Sequence, residues 1–168
     1  MRRVCAWCRK DMGQTRSEMH SEEVITHGIC EACADRLFAN LGKELVSFLD
    51  RLAAPVVVVD EKGSIRTANR EALRLLQKER SDIEGYKGGD VFECIYAKLP
   101  EGCGQTVHCS GCTIRRTVME TWESGKSHLK RPAYLNRGTP EAYRKIHFLI
   151  STEKVGGVVL LRIDEVGG

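Results

Sequence analysis

Three Cys-x-x-Cys pairs stand in this 168-residue chain: Cys5–Cys8, Cys30–Cys33 and Cys109–Cys112. Two single thiols, Cys94 and Cys103, precede the last pair. A Cys-x-x-Cys turn brings two thiolates onto one metal ion, and two such turns complete a tetrahedron. Cys5, Cys8, Cys30 and Cys33 fit that pattern and are read as a structural zinc site, because zinc is redox-inert and four thiolates close it against water. His20 and His27 are possible stand-in ligands. With four cysteines at hand they are read as ordinary polar residues.

Cys94, Cys103, Cys109 and Cys112 are a different case. They are separated by eight, five and two residues, which is not the spacing of two facing knuckles. Three close cysteines and a remote one are nearer the loop ligation of an iron–sulfur cluster. Gly102 and Gly104 flank Cys103 and let the backbone turn sharply against a cofactor. Cys112 leads into a predicted helix from Thr113, whose unpaired amides and positive dipole end favour bound thiolates. An iron–sulfur cluster is the favoured occupant. A second zinc ion, a thiol/disulfide switch and a purely structural buried set remain as alternatives. His108 offers only a weak haem ligand, and Thr113 rather than His follows the third pair, which argues against covalent c-type haem. Arg115 and Arg116 either balance thiolate charge or face solvent.

The bulk composition narrows the setting. Hydrophobic residues make up 42% and charged residues 29% of the chain, as in soluble globular proteins. The 26 basic and 23 acidic residues are too evenly matched for a chain built mainly to hold phosphate backbones, so nucleic acid is an unlikely partner. No apolar run reaches the roughly 18 residues of a membrane span. No apolar segment follows Arg2 and Arg3 as a signal peptide requires, so a cytoplasmic location is expected. In a reducing compartment, paired cysteines point to metal or redox chemistry more than to disulfides.

Three regions must position these thiols. Residues 1–33 carry the first cysteine set and too few apolar residues for a core, so a zinc knuckle must hold them. Residues 34–54 read as a helix that Pro55 ends. Its Phe38, Leu41, Leu45, Phe48 and Leu52 follow the three–four spacing of a coiled-coil seam, which predicts either a homodimer through this helix or an amphipathic helix lying on its own domain. Residues 55–168 follow, with the cysteine-rich insertion at 94–112. Val56–Val59 is a β-branched apolar run that suits a strand covered on both faces. A "DEKG" turn and a returning strand over 64–67 come next. Asn69 is placed to cap a helix over 70–77. A short helix is expected around 91–96. Ile114, Val118 and Trp122 share one face of a helix over 113–123 that Gly125 closes. Three strands are expected over 128–135, 143–151 and 157–164. On the second of them, His147 should share a solvated face with Lys145, opposite Ile146, Phe148 and Ile150. The order predicts an α+β fold, a five-stranded antiparallel sheet with helices on one face.

In the pieces "VVVVDEKGSIRTANREALRLL", "GGDVFEC" and the closing strands ending "GVVLLRIDEV", the chain resembles the PAS sensor family over roughly 52–166. "CAWCRK" and "THGICEACA" likewise resemble small zinc knuckles beside signalling domains. The PAS resemblance implies a signalling module that keeps a ligand or cofactor between sheet and helices and dimerises through a flanking N-terminal helix. The cysteine insertion would then lie beside the ligand position. No nucleophile elbow, phosphate-binding glycine loop or histidine-kinase signature is present, so no enzymatic activity is expected. The expected function is a regulatory sensor of redox state, oxygen or metal that signals to a partner protein in trans, either as a standalone module or as a piece of a longer regulator. Its rivals are a protein-interaction module with two structural zinc ions and a redox electron carrier.

Overall fold

A computed structural model describes residues 2–5, 8–14, 25–28, 30–33, 36 and 43–167. It divides into two compact units, Met1–Leu45 and Val46–Gly168. In the first, strands β1 (Arg2–Cys5), β2 (Asp11–Gln14) and β3 (Ile25–Gly28) form a small sheet in the order β2-β1-β3. β1 runs antiparallel to β2 and parallel to β3. Each strand has four residues, so the sheet alone buries little apolar surface.

The expected helix over 34–54 is described as α1, Lys43–Leu49. Its C-terminal end comes earlier than expected. Past Leu49 the chain tightens, with Arg51 N–H donating to Phe48 O at 3.1 Å and Leu52 N–H to Leu49 O at 3.0 Å. Pro55 therefore does not break this helix. Its carbonyl instead accepts from Ile163 N–H at 2.9 Å and joins the edge of the next sheet. Phe38 and Leu41 of the predicted seam lie outside the described residues. Of the rest, Leu45 is buried while Phe48 and Leu52 are more than a third exposed. Leu49, off the seam, is fully buried.

The second unit carries β4 (Val56–Val59), β5 (Ile65–Ala68), α2 (Arg70–Leu76), α3 (Gly88–Val91), α4 (Thr113–Ser124), β6 (His128–Thr139), β7 (Ala142–Val155) and β8 (Val158–Gly167). The strands form one sheet in the order β5-β4-β8-β7-β6, every pair antiparallel. The fold class is α+β, as expected. β4 sits inside the sheet with all four valines buried, which explains its uninterrupted apolar run. β6 and β7 extend past their predicted ends to a tight hairpin. At Gly138 (φ 129°) an added Cβ would come within 2.5 Å of Ala142 O, so only glycine fits.

Alternation along the last three strands sends Leu135, Ile146, Phe148, Ile150, Leu161 and Ile163 into the core. Val118 of α4 packs there too, with Ile114 and Trp122 at its edge. The Thr121 and Thr152 hydroxyls, both buried, meet at 2.6 Å and join α4 to β7. Gly125 ends α4 in the left-handed conformation. His147 lies on the exposed face opposite Ile146 and Phe148, as the alternation predicts. The short helix expected around 91–96 is instead split. α3 ends at Val91, Glu93 turns left-handed (φ 60°), and a 3-10 turn follows over Ile95–Lys98. The Glu93 carboxylate is held there by Lys78 at 3.2 Å and by Arg137 Nε at 2.6 Å.

Candidate metal centres

In the first unit, Cys5 ends β1 and Cys30 follows β3, so the parallel β1–β3 pairing brings the two knuckles together. The sulfurs of Cys5, Cys8, Cys30 and Cys33 all lie within 4.8 Å of one another. Cys8 Sγ and Cys30 Sγ are 3.6 Å apart, near the roughly 3.8 Å edge of a tetrahedron with 2.3 Å metal–sulfur bonds. Cys30 N–H donates to Cys5 Sγ at 3.4 Å. The neighbouring Cys8 and Cys30 thiols push the Cys33 thiol up to about 12. Four such sulfurs cannot ionise together without a cation, and a divalent metal reverses that penalty. The donor set fits a metal ion.

In the second unit, all four remaining thiols line a single cavity of about 110 Å³ between the sheet and the helices. Its apolar floor includes Val59, Phe92, Leu135 and Leu161. Lys62, Lys87 and Arg115 also line it, and no carboxylate does. Cys94 follows the left-handed Glu93 and pairs by an isolated bridge with Arg137 of β6. Cys103 sits in a turn between left-handed Gly102 and Gly104. Cys109 lies in a 3-10 turn over Val107–Gly111, and Cys112 is the N-cap residue of α4. The segment from 94 to 112 thus folds back on itself and turns its thiols toward one cavity.

Backbone and hydroxyl donors reach these sulfurs. Gly89 N–H donates to Cys103 Sγ at 3.2 Å and Gly104 N–H to Cys109 Sγ at 3.1 Å. The Thr106 hydroxyl lies 3.2 Å from Cys109 Sγ. Burial opposes ionisation of Cys109, but the Thr106 hydroxyl, the Gly104 and Thr106 amides and the Arg115 charge together hold its thiol below the usual range. Burial pushes Cys94 up, partly offset by the Tyr96 and Ala97 amides, and pushes Cys103 up against the Gly89 amide. His108 lines the same cavity, its ring stacked on Tyr96 with centroids 3.8 Å apart.

The two sets differ in width. Among the described residues, the N-terminal four form the one group of three or more ligating side chains that closes within 4.8 Å. The second set surrounds a shared space without closing to that distance. Sequence reasoning had singled out the thiols and the glycines beside Cys103, but not Gly89 or Thr106. Gly89 lies in "YKGGD", outside the cysteine segment, where only the folded chain brings it to Cys103. Thr106, three residues before Cys109, carries the spacing of a hydroxyl that reaches forward to a following residue.

A family model of the PAS fold matches residues 43–124. Among solved structures, the photoactive yellow protein domain of the sensor histidine kinase Ppr from Rhodospirillum centenum matches 77% of this chain and 98% of its own, at 15% identity and a TM-score of 0.44. The Rhodobacter sphaeroides LOV protein matches 77% of this chain and 66% of its own, at 14% identity and a TM-score of 0.48. A domain of a sensory box sensor histidine kinase/response regulator from Geobacter sulfurreducens matches 77% and 96%, at 10% identity and a TM-score of 0.45. No curated protein matches the chain.

Proposed function

Residues 43–124 are a PAS domain, a module typical of signal-sensing proteins, and from that premise we propose that this chain is a cytoplasmic redox or oxygen sensor. Its sensing centre is an iron–sulfur cluster held by Cys94, Cys103, Cys109 and Cys112. The observation that carries this reading is the convergence of all four thiols on one cavity between sheet and helices, wider than a single tetrahedral ion needs. Amide donors to Cys103 and Cys109 suit cluster ligands, whose electron density such hydrogen bonds stabilise. The cations and missing carboxylates of the lining suit a group of net negative charge. When bound, a cluster supplies reversible one-electron chemistry. The chain's own residues fix the thiols around the shared cavity.

Cys5, Cys8, Cys30 and Cys33 hold structural zinc in this reading, and the knuckle organises residues 1–33 ahead of α1. The chain acts as a homodimer through the helix that contains α1, supported by exposed Phe48 and Leu52, and passes its signal to a partner protein in trans. Among the described residues no helix is long and apolar enough to cross a membrane.

Anaerobic purification followed by visible absorption and by iron, sulfide and zinc analysis tests the assignment. A brown protein with iron and sulfide beside one zinc per chain is expected. A colourless protein with two zinc ions per chain would refute the sensing centre.

A further inference from the structure

Cys94 is the remote thiol of the second set, and the turn that presents it is unusual. Glu93 N–H donates to Asp90 O at 3.3 Å and Cys94 N–H to Gly89 O at 2.8 Å, with Glu93 left-handed (φ 60°). This is the Schellman arrangement for ending a helix, here α3, and its left-handed position is usually glycine. A side chain there disfavours the turn, because its Cβ crowds the following carbonyl. Glu93 makes the turn nonetheless and adds a carboxylate.

That carboxylate is grasped from two sides. Lys78 Nζ, just past α2, donates to it at 3.2 Å. Arg137 of β6 donates through Nε at 2.6 Å and also through Nη2. The Arg137 backbone pairs with the next residue, Cys94, by an isolated antiparallel bridge. Its neighbours on β6 extend the hold. Asn136 Nδ2 donates to Tyr96 Oη at 3.3 Å, and Gly138 O accepts from Lys98 Nζ at 3.1 Å. Three consecutive residues near the tip of the β6–β7 hairpin thus fasten the segment from 93 to 98. The Glu93 and Arg137 side chains are each 40% exposed, and an ion pair so exposed adds little stability. Stability alone therefore gives no reason for a glutamate in the glycine position. Fixing the direction of the thiol that follows does, since such backbone positions persist where the surroundings over-determine them, as at ligand clamps.

We propose that Arg137 is the positioning residue of Cys94 in the second cysteine site, acting through the Glu93 carboxylate and the backbone bridge. This rests on the metal-centre reading above and deepens it. The site is held from the β6–β7 hairpin as well as by its own cysteine-rich turns.

The test compares Glu93→Gly, Arg137→Ala, Arg137→Lys and Arg144→Ala in the full chain, purified anaerobically. Glycine suits the left-handed turn, so the urea midpoint of Glu93→Gly, freed of metal by a chelator, should equal or exceed that of wild type treated alike. Its metal content at the second site should nonetheless fall about tenfold, as when a partner that orients a ligand is removed. Arg137→Ala should lose metal to the same extent, and Arg137→Lys, which keeps a cation for Glu93, should recover part of it. Arg144 lies exposed across the hairpin from Arg137, and Arg144→Ala should bind metal as wild type does. A second measurement does not depend on the metal. In chelator-treated protein, iodoacetamide followed by peptide mass mapping should label Cys94 about threefold faster in Glu93→Gly and Arg137→Ala than in wild type, with Cys103 unchanged. Wild-type metal content in Glu93→Gly, unchanged Cys94 labelling, or a lower urea midpoint that makes the role merely structural overturns the proposal. Zinc in place of iron, or no metal in the wild-type second site, refutes the cluster reading only, because the labelling rates still decide the role of Arg137.

Discussion

The side chain of Asn69 donates to the carbonyls of Leu49 at 3.0 Å and Ala54 at 2.8 Å, and so ties the exit of α1 to the start of α2. Its oxygen accepts from Val56 N–H at 2.9 Å and Ala72 N–H at 3.0 Å. The residue is fully buried, and the bonds to Leu49, Val56 and Ala72 are made away from water. One amide group thus closes a helix cap, a strand entry and a helix exit. Beside it, Asp50 accepts from Arg70 N–H at 2.7 Å and sits 3.8 Å from Arg80.

Asn69→Ala should therefore cost far more than an ordinary cap. Loss of the cap and of buried partners for two carbonyls and one amide predicts roughly 3 kcal/mol of destabilisation. Asn69→Asp keeps the two accepted bonds but sets an acceptor-only carboxylate oxygen against the Leu49 and Ala54 carbonyls, and should cost at least as much as Asn69→Ala. Urea unfolding of the three proteins reads the order directly. A loss below about 1 kcal/mol for Asn69→Ala would show that the latch carries no weight.

Gly89 and Gly88 make a matched pair for the second cysteine site. Neither has a left-handed backbone, so a methyl group adds no strain through φ. At Gly89 it meets Cys103 Sγ at 2.7 Å and Ala97 Cβ at 3.1 Å, whereas at Gly88 it meets nothing within 4 Å. Gly89→Ala should displace the Cys103 sulfur and lower metal content about tenfold with the circular dichroism spectrum unchanged. Gly88→Ala should bind metal as wild type does. Equal metal content in the two variants would show that Cys103 is not held as the geometry indicates.

How much of this was legible in the chain follows from the range of each signal. Periodicity gave α2, α4 and the last three strands, because alternation and three–four spacing are local and the core answers to them, and an unbroken β-branched run gave β4. The cap at Asn69 was legible for the same reason. Its reach back to Leu49 was not, since twenty residues separate the two and only the folded chain joins them. The helix end was misplaced because Pro55 is a strong local stop signal, and the tertiary bonds that stop the helix at Leu49 leave no mark in sequence. Thiol spacing separated the two cysteine sets. The hydrogen bonds to sulfur within the second depend on Gly89, Gly104 and Thr106, and only the Thr106 contact had a local cue.

Glu120 supplies the acid side of the stability profile. Its carboxylate accepts from Arg131 at 2.6 Å, with His128 Nε2 at 3.6 Å and Arg116 at 3.8 Å. The Arg131 hydrogen bond, with the charges of Arg131, His128 and Arg116, holds its ionisation below the ordinary value of 4.5. A depressed folded value stabilises the protein above the unfolded value, and that contribution disappears as pH falls through the folded one. Glu120→Gln should thus be less stable than wild type at pH 6, with the two urea midpoints converging below about pH 4. The group is exposed, so 1 M salt should shrink the gap. A gap that widened on acidification would reverse the sign and refute the assignment.

The first cysteine set makes the strongest claim about metal removal. Among the described residues of the first unit, the buried apolar side chains are Cys5, Cys30 and Leu45, and two of these three are thiols of the site itself. Three four-residue strands with so little buried surface cannot offset the backbone entropy of ordering them, which costs about 1–2 kcal/mol per residue. A metal held by these four thiols would therefore supply the folding free energy of this unit. The second unit has its own continuous core and does not share that dependence. A strong chelator such as a terpyridine, or Cys5→Ser together with Cys30→Ser, should bring amide exchange in β1, β2 and β3 to near random-coil rates. Exchange in β4, β7 and β8 should stay protected in the double variant, which leaves the second site intact. Because both sites would bind through thiolates, chelation is followed by metal analysis to assign each loss to its set. Continued protection in β1–β3 without metal would mean that the knuckle folds on its own and that its cysteines serve another chemistry.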